Sequence, residues 1–387
     1  MQRRRRWGLA ALLATALSAT PGAGQEVPAE LDTRAAMGAM VKQLAFLLPL
    51  SLDDERFGDP AQRDAIFAAL LELARLGGTL EAHGHDRDAG FDFLSRSLAR
   101  DTSEMLARYE QGRFAESRFL THQLTDNCIA CHSRLPDPEP RPLGQLLFAS
   151  TEVADLPLDE RVRLQMATRQ FDAALASFEA LFASPDHSAS DLDLTGQLDA
   201  YLEICLRVEG EPRRPIPGFE KLAKRDDTRA PLRENLRAWI ASLRELQERS
   251  PAESPLAEAR ALLQVAKDRS RFPDDRRALV YYIAASSVMH RYVAGNPPSR
   301  RDRGEAYYLL GLIESHVGRS FWLSQTEHYL ETAIRVAPEQ PYADDAYALL
   351  EEFVVSGYTG SAGGAVPEDV RARLDELRAL IEARQGS

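Results

Sequence analysis

Residues 127–135 read Asn-Cys-Ile-Ala-Cys-His-Ser-Arg-Leu. The 387-residue chain has only three cysteines. Two of them, Cys128 and Cys131, stand three apart here, with His132 directly behind. Positions i, i+3 and i+4 share one face of a helix, and Cys128, Cys131 and His132 are that set. Structural zinc needs four ligands, and the remaining cysteine, Cys205, lies in a distant segment. A redox dithiol of the thioredoxin type expects a βαβ context, and the surrounding pattern is helical. C-x-x-C-H is the signature of haem c attachment, in which the two thiols add to the vinyl groups and the histidine becomes an axial iron ligand. The motif predicts one covalent haem c on Cys128 and Cys131, with His132 as proximal iron ligand. The plainer alternative is a packed pair of reduced cysteines beside a surface histidine.

The segments before the motif read as helices. Apolar residues in 31–50 recur at Met37, Met40, Val41, Leu44, Leu47 and Leu48. Asp59-Pro60 opens a second stripe through Ile66, Phe67, Leu70, Leu71, Ala74 and Leu76, expected to end at Gly77-Gly78 or shortly after. A third covers 88–109 with Phe91, Leu94, Leu98, Met105 and Leu106, and Gly112 punctuates it. The fourth, 114–132, carries the motif, and Pro136 stops it. Short connections between such helices predict an antiparallel bundle whose core space a haem would fill.

This arrangement resembles the class II c-type cytochromes, the cytochrome c prime fold and its six-coordinate relatives. The resemblance covers residues 31–136 and rests on Cys128-Ile129-Ala130-Cys131-His132. It implies that a first-helix arginine is followed closely by the residue facing the distal side of the iron. Arg34-Ala35-Ala36-Met37 is similar, one residue short in spacing. A methionine in that place makes a low-spin electron carrier, because thioether ligation closes the site and raises the potential. An apolar residue leaves the iron open to small gases. Met37 or Met40 is the candidate distal ligand, with Met37 ahead and Met105 behind both; plain core packing is the competing role. Arg34 is a candidate partner for a propionate. The family often continues its last helix to an arginine, whereas Ser133-Arg134-Leu135-Pro136 turns out early.

The other histidines carry less. His83-Gly84-His85 is expected in a polar loop. His122, ten residues before His132 on the same helix, cannot reach the opposite face of an iron. His187, His290, His316 and His328 show no metal-ligand spacing, and Cys205 reads as a buried thiol.

The amino terminus has four arginines at 3–6, a short apolar run at 7–19 and small residues through Gly24. It reads as a signal peptide, residues 1–24, which predicts export to the periplasm. An uncleaved membrane anchor is the rival reading. No later apolar run is long enough to span a membrane. The formal charge of −12 argues against binding nucleic-acid backbone.

Residues 136–142 alternate proline with charge and read as a stiff linker, placed at 137–145. It separates a bundle domain, 25–136, from a helical domain, 146–387. The second domain resembles tetratricopeptide repeats, helix pairs with small residues where the helices cross. Tyr308-Leu309-Leu310-Gly311 resembles a first helix. Tyr329-Leu330, Ala333 and Pro338 resemble a second. Phe171, Ala174 and Phe178 resemble the second helix of another copy, and 341–358 the start of a further one. An irregular helical domain is the alternative. Gly360–Gly364 is expected to be a flexible joint, and 367–384 a capping amphipathic helix.

The expected fold is all-α: a four-helix haem-binding bundle followed by an array of helical hairpins. The expected function is periplasmic electron transfer by a mono-haem c-type cytochrome whose array docks a redox protein partner. The chain shows no phosphate loop, nucleophile elbow or zinc-binding histidine pair that would make it an enzyme. A five-coordinate gas-binding haem protein, and a scaffold or assembly factor with a structural haem, are the alternatives. A peroxidase is weaker still, since no distal acid–base set is visible.

Overall fold

The computed structural model describes residues 32–84, 89–133, 156–272, 275–318, 325–360, 363–364 and 366–385. The fold is all-α. The expected signal peptide, the linker at 137–145 and His85 lie outside the described residues. Among those residues no helix is long and apolar enough to cross a membrane.

Four long helices make the first half. Helix α1 (Thr33–Ser51) starts at Asp32, whose carboxylate accepts from the Ala35 N–H at 2.7 Å, satisfying one of the donors that a helix start leaves bare. A short α2 (Asp54–Gly58) leads to α3 (Arg63–Gly84), α4 (Ala89–Glu110) and α5 (Phe114–His132). The bounds of α5 are those expected from sequence. Before it the chain reverses at Gly112, whose φ of +74° is a left-handed conformation that glycine adopts without a Cβ penalty. Helix α1 packs on α3, α3 on α4, α4 on α5, and α5 back on α1. Their inward stripes form one core around Leu44, Leu47, Ile66, Leu70, Leu73, Leu76, Met105 and Leu124.

Helix α3 departs from expectation at both ends. It begins at Arg63 rather than at Asp59-Pro60, and it runs through Gly77-Gly78 to Gly84. The glycine has a packing role. A Cβ on Gly77 would collide with the Thr102 hydroxyl and stand 3.0 Å from the Ala99 Cα of α4. Gly77 therefore lets two helix backbones approach. His83 consequently sits in the last turn of α3 rather than in a loop, with Nδ1 3.3 Å from the Thr33 hydroxyl.

The second half opens with α6 (Leu158–Ala167) and α7 (Phe171–Ala183). Then come α8 (Ala189–Leu194), α9 (Gln197–Glu203) and a π-helical turn over Ile204–Val208. Helices α10 (Pro215–Leu222), α11 (Ala230–Glu248) and α12 (Pro255–Arg269) follow. The end of the chain stacks α13 (Leu279–Ala294), α14 (Arg300–Val317), α15 (Gln325–Val336) and α16 (Tyr342–Gly357), each on the next. Gly311 of α14 faces α15, where a Cβ would collide with the Leu330 side chain and lie 3.2 Å from its backbone nitrogen. The small residue thus stands where α14 and α15 approach each other closely.

The glycine-rich stretch after α16 differs from the expected loose joint. Thr359–Gly360 (β1) and Gly363–Gly364 (β2) pair antiparallel, Thr359 opposite Gly364. The final helix, α17 (Glu368–Gln385), buries Leu374, Leu377 and Ile381 against α15 and α16. Arg373 pairs outward with Glu327 at 3.5 Å and Arg335 with Glu376 at 2.8 Å.

The halves share material. Helix α6 packs on α5, and Leu156 and Leu164 join the core of the first half. From the other direction Ile129 of α5 packs against the core of the second.

Candidate haem attachment site

The three motif residues occupy the last turns of α5, which ends where the Ser133 N–H donates to the Ile129 carbonyl at 2.9 Å. Helical spacing puts Cys128, Cys131 and His132 on one face, and all three border a single small cavity of about 20 Å³. Its other walls are apolar or uncharged, among them Met37 from α1, Leu80 from α3, and Phe91, Leu94 and Leu98 from α4. Asn127 borders it too and is held by its side-chain amide, which donates to the Asp101 carboxylate at 2.7 Å.

A second cavity of about 50 Å³ also borders Cys131. It is bounded by α4 and by His290, Tyr307, Leu310 and Tyr329 of the second half. Phe91, Leu94 and Cys131 border both cavities and so form the wall between them. His290 lies 3.6 Å from Glu314, and its ring is tilted against Tyr329 at 6.1 Å between centroids.

The proximal candidate has a defined partner. His132 Nδ1 lies 2.7 Å from the carbonyl oxygen of Ala167, the last residue of α6. A carbonyl only accepts, so Nδ1 carries a proton here, and in a neutral ring the lone pair is then at Nε2. That tautomer is the one an iron-ligating histidine needs, and the second hydrogen bond orients the ring and raises its basicity.

Neither Cys128 nor Cys131 is in a disulfide. Burial pushes the Cys128 thiol up to about 12, and the neighbouring Cys131 and Asp126 push in the same direction. A thiol held neutral in this way is a poor redox nucleophile and a poor zinc thiolate. Cys205 is fully buried in the π-helical turn and burial raises it as well. Among the described residues no three His, Cys, Asp or Glu side chains cluster as a closed metal cage requires.

The structure separates the two methionines that spacing leaves level. Met37 borders the cavity with the motif residues, whereas Met40 is packed into the core at 4 % exposure. Met105 is fully buried in the same core. Arg34 is exposed on α1 and does not border either cavity. His122 points elsewhere, its Nε2 3.0 Å from the Ser51 carbonyl and its Nδ1 3.7 Å from Glu160.

The residues present suit a covalent haem c. Two thiols and an imidazole whose Nδ1 meets the Ala167 carbonyl share one face, a thioether borders the same space, and the walls are mostly apolar. Both cavities, about 20 and 50 Å³, are smaller than a haem, so holding one would need these side chains to repack. Sequence reasoning places the motif and the Met37 candidate but not the Ala167 carbonyl, because a backbone acceptor has no residue-type signature. The second-half side of the site, His290, Tyr307 and Tyr329, also lacked a signal, since no spacing ties those positions to 131. Comparison with protein-family models, with curated proteins and with solved structures finds no match for this chain.

Proposed function

We propose that this chain is a mono-haem c-type cytochrome that transfers electrons in the periplasm, with its second half docking a redox protein partner. The observation that carries the reading is the meeting of Cys128, Cys131, His132 and Met37 around one apolar cavity, with His132 Nδ1 held by the Ala167 carbonyl. Cys128 and Cys131 would hold the macrocycle through thioether bonds. His132 would ligate the iron through Nε2, and Met37 is the candidate for the opposite side.

When bound, the haem supplies one-electron iron chemistry. The chain sets its character by ligand identity, burial and hydrogen bonding around the ligands. The carbonyl of Ala167 increases donation from His132 and so favours the ferric state. A methionine ligand works in the opposite direction, and the apolar walls keep water from the iron. The part of the second half that closes over Cys131 makes the site a joint product of both halves.

The test is maturation of the full chain with haem c attachment machinery, followed by absorption spectra, oxidised and reduced, before and after carbon monoxide. A covalent, low-spin haem indifferent to the gas supports the electron carrier. A high-spin spectrum that shifts with carbon monoxide moves the reading to gas binding. Absence of covalent haem overturns both.

A further inference from the structure

Cys131 of the motif meets the second half of the chain. The cavity of about 50 Å³ beside it is also bordered by His290 of α13, Tyr307 and Leu310 of α14 and Tyr329 of α15. His290 is 6 % exposed. Its Nε2 stands 3.6 Å from Glu314 Oε1, within ion-pair range once the ring carries both protons. Glu314 in turn borders the largest cavity described, about 420 Å³, together with Leu194, which is 77 % exposed. The His290–Glu314 contact thus joins a space beside the attachment motif to one that reaches the surface.

Other ionisable groups surround this contact. Arg207 of the π-helical turn lies 2.9 Å from the same Glu314 oxygen, with Glu203 of α9 beyond it at 3.3 Å. Asp199 of α9 is paired with Arg276. Tyr329 of α15 tilts its ring against His290, and Tyr307 of α14 stacks on Tyr329. On α13 itself, Arg291 donates to the Ser287 hydroxyl at 2.7 Å. Helices α11 and α12 bring Glu245 and Arg269, which meet Tyr281, more than two turns before His290. The candidate iron ligands His132 and Met37 do not border the cavity that His290 borders.

We propose that the His290–Glu314 pair binds a proton when the haem is reduced and releases it when the haem is oxidised. This inference rests on the haem reading above. On reduction, one electron passes from the redox partner to the iron, and the His290 ring takes one proton from solvent through the larger cavity. Oxidation returns both. The cause is a change of one positive charge near a ring that is screened from water, where charges act on one another strongly. The oxidised centre disfavours the imidazolium form, so the ring titrates at higher pH in the reduced protein. Between the two titrations the midpoint potential falls as pH rises. The slope there is a tenfold change in the equilibrium constant per pH unit, about 59 mV for one electron.

The experiment is redox titration of the full chain, matured with haem c attachment machinery, at stepped pH across roughly 5 to 8, where histidine titrates. The parent should show the falling segment, and His290→Gln should remove it. Glu314→Gln takes away the anion that favours imidazolium and should move the segment to lower pH. Should the buried His290 variant fail to fold, Glu314→Gln and the parent profile still decide. A parent potential independent of pH would overturn the proposal. So would a slope that persists unchanged in His290→Gln or in Glu314→Gln. A chain without covalent haem would overturn the haem reading and this proposal together. That failure shows in the absorption spectrum before any titration, so the two failures are distinct.

Discussion

His132 Nδ1 and the Ala167 carbonyl oxygen are 2.7 Å apart, although the two residues are 35 positions apart and belong to different halves of the chain. The last turn of α6 therefore fixes the tautomer of the histidine in the C-x-x-C-H motif. Thr168 closes that turn, with its N–H on the Leu164 carbonyl at 3.0 Å. Thr168→Pro removes this donor and drives Ala167 out of the helical region, because proline restricts the residue before it. The Ala167 carbonyl then turns away from His132. The expected outcome is a haem still attached through both cysteines but with a raised midpoint potential. Redox titration of the matured variant beside the parent checks this, and an unchanged potential would deny the carbonyl its role.

The two methionines of α1 should part company. Met37→Ala removes a side chain that borders the cavity and should convert a low-spin spectrum into one that responds to carbon monoxide. Met40→Ala empties core volume and should cost about 2–5 kcal/mol of stability with no change in spectrum. Spectra and denaturant unfolding of both variants make the comparison. If Met40→Ala alters the spectrum and Met37→Ala does not, the assignment is reversed.

Neighbouring glycines give a matched pair of stability tests. Gly77→Ala places a methyl against the Thr102 hydroxyl and 3.0 Å from the Ala99 Cα, and backbone cannot yield as a flexible side chain does. A loss of about 1–3 kcal/mol is expected. Gly78 has nothing within 4 Å of where a Cβ would stand, so Gly78→Ala should stabilise α3 by up to about 1 kcal/mol through helix propensity. Thermal unfolding of the two variants reads the difference directly.

The pH dependence should show the His122–Glu160 pair, which ties α5 to α6. The Glu160 partner raises His122, helped by the Ser51 carbonyl and opposed by burial. The same contact lowers Glu160. A histidine raised on folding stabilises fully below its unfolded value, and that contribution is lost as pH rises through the folded value. A lowered carboxyl contributes above its unfolded value and is lost as pH falls through the folded one. Both contributions are present between roughly pH 4.5 and 6.5, from ordinary unfolded values. His122→Gln should flatten the stability profile on the alkaline side of that window. Urea unfolding at stepped pH measures it, and identical profiles would remove the pair from the account.

Helix existence was legible because the apolar stripes repeat strictly: Leu44, Leu47 and Leu48, or Phe171, Ala174 and Phe178, are all buried. Positions set by tertiary approach were not. Gly77-Gly78 carries the local signature of a helix end, and only the presence of Ala99 and Thr102 across the crossing makes it a continuous helix. Met37 and Met40 are three apart, so periodicity places both inward, and packing alone sends one to the cavity and one to the core. The motif residues could be located from spacing, since their chemistry requires one helix face. Their partners come from α4, α6 and the second half, at sequence distances that no pattern encodes.

Arg207 offers the sharpest test of how the second half is held. It is buried in the π-helical turn, with its Nε 2.7 Å from the Ser286 hydroxyl and its other nitrogens 2.9 Å from Glu314 and 3.3 Å from Glu203. These bonds join the turn to α13, α14 and the end of α9. Arg207→Leu fills much of the volume but leaves Glu203 and Glu314 close together, with His290 3.6 Å from Glu314. Removing one partner of a buried ionic set costs about 3–5 kcal/mol, because the charge left behind is uncompensated. Glu314 and Glu203 can escape part of that cost by taking up a proton, so the loss should shrink as pH falls below neutrality. Replacing the three together, Arg207→Leu with Glu203→Gln and Glu314→Gln, removes the stranded charges and should recover a good part of the loss. Denaturant unfolding of the single and triple variants at two pH values decides it. A triple variant no more stable than Arg207→Leu would mean that the bond geometry, rather than the stranded charge, sets the cost.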